Sequence, residues 1–273
     1  MFFLFSPRPA IGHDARKGGK MQAIVTGATS GIGRAIALAM HGQGHDVVAF
    51  GRRKEALAEL EALGLRTRAV DLADRVALAV ALTGLAPDVL VNNAGMMPRM
   101  APFCDLTEDE IDRAVAVNLG SVLAMTRAVA PGMRDRGRGH IFFTGSTAGH
   151  APFANLAVYC ATKAAVGGFA QALRLDLAPH GVRVTEIVAG RVETGLYNAL
   201  LPAEARAAMY ADASAVQPGD VAAMVAAVLA LPPHVDVARF DILPTRQATA
   251  TRSSSRGPRI RPARSWTRCR WDA

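Results

Sequence analysis

Gln22-Ala23-Ile24-Val25-Thr26-Gly27-Ala28-Thr29-Ser30-Gly31-Ile32-Gly33 is the stretch whose reading decides the fold. A strand-like run feeds a glycine-rich turn, and a helical pattern begins inside that turn. Glycine lets a backbone come close to a pyrophosphate, while unpaired N–H groups at the start of a helix add donors and a favourable dipole. A phosphate-binding turn is therefore expected at Gly27, Thr29, Ser30, Gly31, Ile32 and Gly33. Such turns also occur without a ligand, so the rest of the chain has to agree.

Outward from this turn, β-like apolar runs at 22–26, 46–50, 66–70, 88–92, 139–144, 182–188 and 239–243 alternate with helical patterns. The helices are expected at about 32–43, 54–63, 74–83, 108–131, 158–178 and 218–230. Pro87-Asp88, Pro131-Gly132, His180-Gly181 and Pro232-Pro233 punctuate the units. This order predicts an α/β fold, a single Rossmann-type doubly wound parallel sheet with helices on both faces. Residues 191–217 lack a strong period and sit where a loop would cover a binding site.

Composition fits one large domain. The chain has 273 residues, of which 51% are hydrophobic, enough to bury a sizeable core. Its formal charge of +8 is unevenly spread: residues 1–20 carry +3, residues 252–273 carry +6, and residues 21–251 carry −1. A nearly neutral body makes a nucleic-acid partner unexpected, and the apolar pentamer after Met1 is too short for a signal core or a membrane span. Residues 1–20 read as an extension before a natural start at Met21, residues 21–248 as the domain, and residues 249–273 as a basic, disordered, solvated tail. Cys104, Cys160 and Cys269 have no metal-like spacing, so a reducing cytoplasm is expected. His41 and His45 are separated by two glycines, and no metal site is indicated.

The second strand ends at Phe50-Gly51-Arg52-Arg53. An acid at this point would accept hydrogen bonds from a free ribose 2′-hydroxyl, and there is none. Gly51 leaves room, and the guanidiniums of Arg52 and Arg53 can pair with a 2′-phosphate, so NADP(H) is expected over NAD(H). Farther on, Tyr159 and Lys163 are four residues apart in a helical pattern, hence on one face, with Ser146 upstream. A cation beside a phenol favours the phenolate, so the pair suits proton exchange with a carbonyl or alcohol oxygen.

In order along the chain stand Thr26-Gly27-x-x-x-Gly31-x-Gly33, Asp71, Asn92-Asn93-Ala94-Gly95, Asn118, Ser146, Tyr159 with Lys163, and Gly190-x-Val192-x-Thr194. In this set the chain resembles the short-chain dehydrogenases/reductases over about residues 21–246. Gly51-Arg52-Arg53, Gly145-Ser146-Thr147-Ala148-Gly149 and Val182-Arg183-Val184-Thr185-Glu186-Ile187 bring it nearest to NADP-dependent 3-hydroxy acid (serine) dehydrogenases and related small-carbonyl reductases. The resemblance implies an oxidoreductase with Tyr159 as general acid/base. Ser146 would hydrogen-bond the reacting oxygen, and Lys163 would lower the tyrosine pKa and hold the nicotinamide ribose. Asn118 would anchor a relay water. It also implies that Asp71 and Leu72 contact adenine, that Asn93 and Gly95 line the cofactor, and that Val192 and Thr194 hold the carboxamide. Ala189 departs from the proline usual before Gly190.

Met96, Met97, His150, Phe153, Asn155, Arg191 and Tyr197 flank these segments and are candidate substrate residues together with Ser146. Arg191 or Arg99 could pair with an acid group, which points to a small polar 2-oxo or 3-oxo acid, semialdehyde or related aldehyde. A reductase of another ketone, such as an acyl thioester, a sugar or a steroid, is the alternative. A non-catalytic dinucleotide-binding regulator would be expected to lose the Ser/Tyr/Lys set. The long helices resemble those through which family members form tetramers, so a homo-oligomer is expected.

Overall fold

The computed structural model describes residues 19–198 and 200–246. The extension and the basic tail lie almost entirely outside the described residues, as does Cys269. Seven strands form one sheet: β1 (Gln22–Thr26), β2 (Asp46–Gly51), β3 (Arg66–Ala69), β4 (Val89–Asn92), β5 (Gly139–Thr144), β6 (Val182–Ala189) and β7 (Arg239–Ile242). Their order is β3-β2-β1-β4-β5-β6-β7 and every pairing is parallel. The chain reverses its direction of travel across the sheet between β1 and β4, which opens a crevice at the carboxyl ends of those two strands.

Alternating side chains explain why the central strands read as continuous apolar runs. Ala23 and Val25 of β1 pack on one face with Ile36, Ala37 and Met40 of α1 (Gly31–Gly42), Leu60 of α2 (Lys54–Ala62), and Val221, Val225 and Val228 of α8 (Pro218–Leu229). Ile24 faces the other way, into a cluster with Leu78 of α3 (Arg75–Leu82), Met125, Val129 and Met133 of α5 (Ser121–Arg136), and Val166 and Ala170 of α6 (Ala157–Leu177). Both faces of the sheet are therefore covered, as the strand–helix alternation requires.

The expected helix at 108–131 differs from what forms. It begins at Thr107, whose side chain makes a capping box with Glu110, and runs as α4 (Glu108–Val115). A π-turn, Ala116–Gly120, then carries the axis into α5, which passes Pro131-Gly132 and ends at Arg136 before Gly137 in the left-handed region. Burial of Met133 beneath the sheet outweighs the local breaking signal of Pro131. Residues 108–136 include an 18-residue stretch with the length and apolarity of a membrane span, but 44% of that stretch is buried inside this fold. The segment at 191–217, expected to be a loop, contains α7 (Ala203–Tyr210), a short helix with no buried residue.

Candidate active site

The phosphate-binding turn forms as the sequence requires. Gly27 and Gly31 have φ of 66° and 52°, a region that favours glycine. A Cβ at Gly33 would meet the Gly27 carbonyl oxygen at 2.5 Å and Asn93 Nδ2 at 2.4 Å, so the helix can start this close to β4 only without a side chain. Ser30, the N-cap of α1, makes no side-chain capping bond, and the first turn of α1 holds no acid. The helix thus presents uncompensated donors and positive dipole to the crevice, a cradle that fits a dinucleotide pyrophosphate. Thr29 closes one side. Its methyl lies 2.4 Å from where a Gly51 Cβ would be, and its carbonyl accepts a hydrogen bond from the guanidinium of Arg53. Arg52 beside it is exposed.

Asp71 and Leu72 follow β3 at the same end of the sheet. Leu72 is buried, whereas Asp71 accepts the Ala73 N–H at 3.0 Å and pairs with Arg113 at 2.7 Å. Burial raises the Asp71 pKa, but the Arg113 hydrogen bond and charge, the Ala73 N–H and the nearby Arg52 together outweigh it and keep the carboxyl below its ordinary value. Asn93 ties strand ends together: its N–H and Nδ2 donate to Thr26, and its Oδ1 accepts from Thr144. Val192 is buried and pairs in a single bridge with Val216, and Thr194 Oγ1 caps the turn that follows by accepting from Leu196 N.

At the carboxyl end of β5, Ser146 Oγ accepts the Ala148 N–H at 3.1 Å and so fixes the short turn Thr147–Gly149. Tyr159 and Lys163 project from the first turns of α6, with Lys163 Nζ 5.8 Å from the phenol ring centre. Lys163 Nζ donates to the Thr144 carbonyl at 2.7 Å. Asn118 sits on the π-turn, where the wider backbone ring turns its amide inward. Its Oδ1 accepts Met96 N–H at 2.7 Å, and its Nδ2 donates to Met96 O at 2.8 Å and to Thr162 Oγ1 at 3.2 Å. The amide therefore clamps the loop after β4 to α6, a structural task beyond the implied water relay. Gly95 backs onto both Asn118 and Lys163, since a Cβ there would lie 3.4 Å and 3.6 Å from them.

The electrostatics correct the expectation that Lys163 pulls the phenol toward neutrality. Burial pushes the Tyr159 hydroxyl up to about 12, and the neighbouring Ser146 hydroxyl offsets only part of this. Burial also lowers Lys163 to about 8, opposed by the Glu186 carboxylate. At about 8 the lysine is still largely protonated near neutral pH, so its charge is available to a phenolate once one forms. In the ligand-free protein the phenol stays protonated, the form needed to donate a proton to a carbonyl oxygen. The lysine has a stability signature of its own. Between about pH 8 and the ordinary lysine value of 10.5 the unfolded chain holds a proton that the folded chain has shed, so stability rises with pH through that window. Urea unfolding of the wild type and Lys163→Met across this range should show the rise only in the wild type; parallel curves would contradict the assignment.

The candidate substrate residues do not all converge on one place. Ser146 and Tyr197 stand at Tyr159, with Met97 and Cys160 in the same apolar cluster and Leu156, Leu196 and Leu200 packed against it. Phe153 and Asn155 lie on the exposed run before α6, Asn155 with φ of 63°. Arg191 donates to the Met209 carbonyl at 3.1 Å, and Arg99 pairs with Glu110 at 3.1 Å and bonds the Asp105 carbonyl. Both guanidiniums are thus engaged by the protein itself. His150 turns inward, with Nε2 3.0 Å from Glu186 Oε1. Sequence reasoning passed over Glu186, although a lone acid in the apolar strand Val182–Ala189 was a visible signal. Thr144 and Thr162, which hold Lys163 and Asn118, gave none. Among the described residues no cluster of ligand-forming side chains could hold a metal ion.

Comparison with known proteins agrees with this geometry. A profile described as short chain dehydrogenase matches residues 21–205. A short-chain type dehydrogenase/reductase of Sinorhizobium fredii is 47% identical over 227 residues, covering 82% of this chain and 92% of its own length. The NADP-dependent 3-hydroxy acid dehydrogenase YdfG of Escherichia coli is 39% identical over 241 residues, covering 84% and 97%. A solved closed form of serine dehydrogenase complexed with NADP+ superposes with a TM-score of 0.81 at 36% identity, covering 89% of this chain and 100% of that one. The parallel sheet with its glycine turn, and the ordered Ser146, Tyr159 and Lys163 at its open end, are thus those of an oxidoreductase, and the chain belongs to the short-chain dehydrogenase family.

Proposed function

We propose that the protein uses NADP(H) to interconvert a small polar carbonyl compound, a 2-oxo or 3-oxo acid, a semialdehyde or a related aldehyde, with its alcohol. The observation that carries this reading is the convergence of Ser146, Tyr159 and Lys163 beside an uncapped α1 N-terminus, with Arg52 and Arg53 just past the end of β2. Glycines 27, 31 and 33 would admit the pyrophosphate, Arg52 and Arg53 the 2′-phosphate, and Val192 and Thr194 the carboxamide. When bound, the reduced nicotinamide supplies a hydride.

The side chains do the rest. As the substrate carbonyl oxygen gains negative charge, Ser146 donates a hydrogen bond to it and Tyr159 delivers the proton. The phenol begins protonated because it is buried, so no prior ionisation is needed in the reductive direction. Lys163, anchored on the Thr144 carbonyl, stabilises the phenolate that results. Met97, Leu196 and Tyr197 pack around the phenol as an apolar wall, which supports a substrate that is short on that side. Arg191, near Tyr197 and Tyr210, keeps further guanidinium donors beyond its bond to Met209, and these would meet an anionic group. Leu123, Ala130, Phe169, Leu173 and Leu177 line a groove between α5 and α6, which supports self-association through that face.

NADPH consumption over small aldehydes, 2- and 3-oxo acids and sulfonated aldehydes, with 3-hydroxy acids in reverse, tests the substrate class. Anionic compounds are expected to be turned over better than neutral analogues; equal turnover would remove the anion-binding role of Arg191.

A further inference from the structure

Glu186 lies in the middle of β6, 1% exposed, and points beneath the Ser146 turn. Its Oε1 fills the space in front of two glycines on different elements. A Cβ would come within 2.5 Å of it at Gly145, directly before Ser146, and within 2.9 Å at Gly167, one turn beyond Lys163 on α6. The same oxygen is bonded to His150 Nε2, at the far end of the turn that begins at Ser146. Oε2 is buried with no hydrogen-bond partner. Gly149 closes the packing, since a Cβ there would strike the Lys163 carbonyl oxygen at 2.9 Å. One carboxylate therefore touches both ends of the turn that aims Ser146, and the helix that aims Lys163. The titratable side chains facing Lys163 are Tyr159 from its own helix and Glu186 from β6; those facing Glu186 are His150 and Lys163.

We propose that the buried Glu186 and the partly exposed His150 form a positioning pair that locks the Ser146 turn onto α6 and supplies the negative charge opposite the Lys163 ammonium. A buried carboxylate with one oxygen unpartnered is costly, and a fold that keeps it without use would be expected to replace it with an apolar side chain. Here its charge opposes the desolvation of a lysine that must hold a proton for the reaction. His150 acts through Glu186 and not through the substrate: its Nε2 is taken by the Glu186 carboxylate. The carbonyl being reduced, whichever it is, then experiences His150 only as the geometry of Ser146.

This inference rests on the proposed Tyr159-dependent carbonyl reduction, and the experiment keeps the two apart. Steady-state rates would be measured for the wild type, His150→Ala, His150→Gln and Glu186→Gln with two unlike carbonyl substrates, across pH 6–10. His150→Ala is expected to lower kcat by about tenfold for both substrates with little change in KM, since small misplacements of a catalytic group carry such losses. His150→Gln keeps a donor to Glu186 and should recover most of that loss. Glu186→Gln keeps the shape and removes the charge, so the alkaline limb of the kcat profile should move to lower pH by about one unit. A rise in KM confined to one substrate would make His150 a substrate contact and overturn the inference. So would unchanged kcat with an unmoved limb, or a glutamine variant as slow as the alanine one. If Glu186→Gln does not fold, the two His150 variants decide. A wild type that consumes no NADPH with any carbonyl would instead sink the underlying reading.

Discussion

Tyr159→Phe is expected to lower kcat by about a thousandfold or more, while the NADPH dissociation constant stays within about threefold of the wild type. The expected loss is large because a serine hydroxyl can donate a hydrogen bond but gives up its proton far less readily than a phenol, and Lys163 is held on the Thr144 carbonyl. The effect on binding is small because only the hydroxyl is removed. Tyr159 is 7% exposed and packs with Met97, Ala148 and Cys160, contacts a phenylalanine ring keeps. Dissociation constants from nucleotide fluorescence and single-turnover rates separate the two quantities. Residual turnover within tenfold of the wild type would mean that another group delivers the proton.

Arg52→Ala should raise the KM for NADPH by about 10–100-fold and change the KM for NADH by less than about threefold, the scale of one lost charge-assisted contact. Arg53→Ala should behave less cleanly. Its guanidinium also donates to the Thr29 carbonyl, so its loss loosens the phosphate turn for both cofactors while removing a 2′-phosphate partner for one. The double variant is therefore expected to fall furthest with NADPH and to show a smaller, shared penalty with NADH traceable to Arg53. Equal losses with both cofactors in Arg52→Ala would show that this guanidinium does not face the 2′-position.

The strands were legible because burial on both faces of a parallel sheet writes itself as short apolar runs, and each of the seven formed within about one residue of its expected bounds. The π-turn at Ala116–Gly120 was not, since nothing in its residue types marks a widened backbone ring. Continuation of α5 past Pro131 was hidden for a related reason: the burial of Met133 that overrides the breaker is tertiary. In the site, Ser146, Tyr159, Lys163 and the glycine turn could be read from spacing and order. The direction of the proton affinities could not, because desolvation depends on how deeply α6 sinks against β5 and β6. His150 was read as a substrate residue from its position after Ser146, whereas the partner that turns it inward, Glu186, is brought near only by the pairing of β5 with β6.

The missing cap on α1 makes the occupant of the crevice part of the protein's own secondary structure. A dinucleotide whose phosphates meet those first N–H groups is the ligand and the helix terminus at once, so binding and folding draw on the same free energy. At a free concentration a hundred times its dissociation constant, a ligand adds about 2.7 kcal/mol to the folded state. That is a large share of a typical stability margin, and unfolded protein in a cell is continuously removed by proteases. The lifetime of this chain is then set in part by the size of the dinucleotide pool: a cell short of cofactor loses the enzyme as well as its turnover.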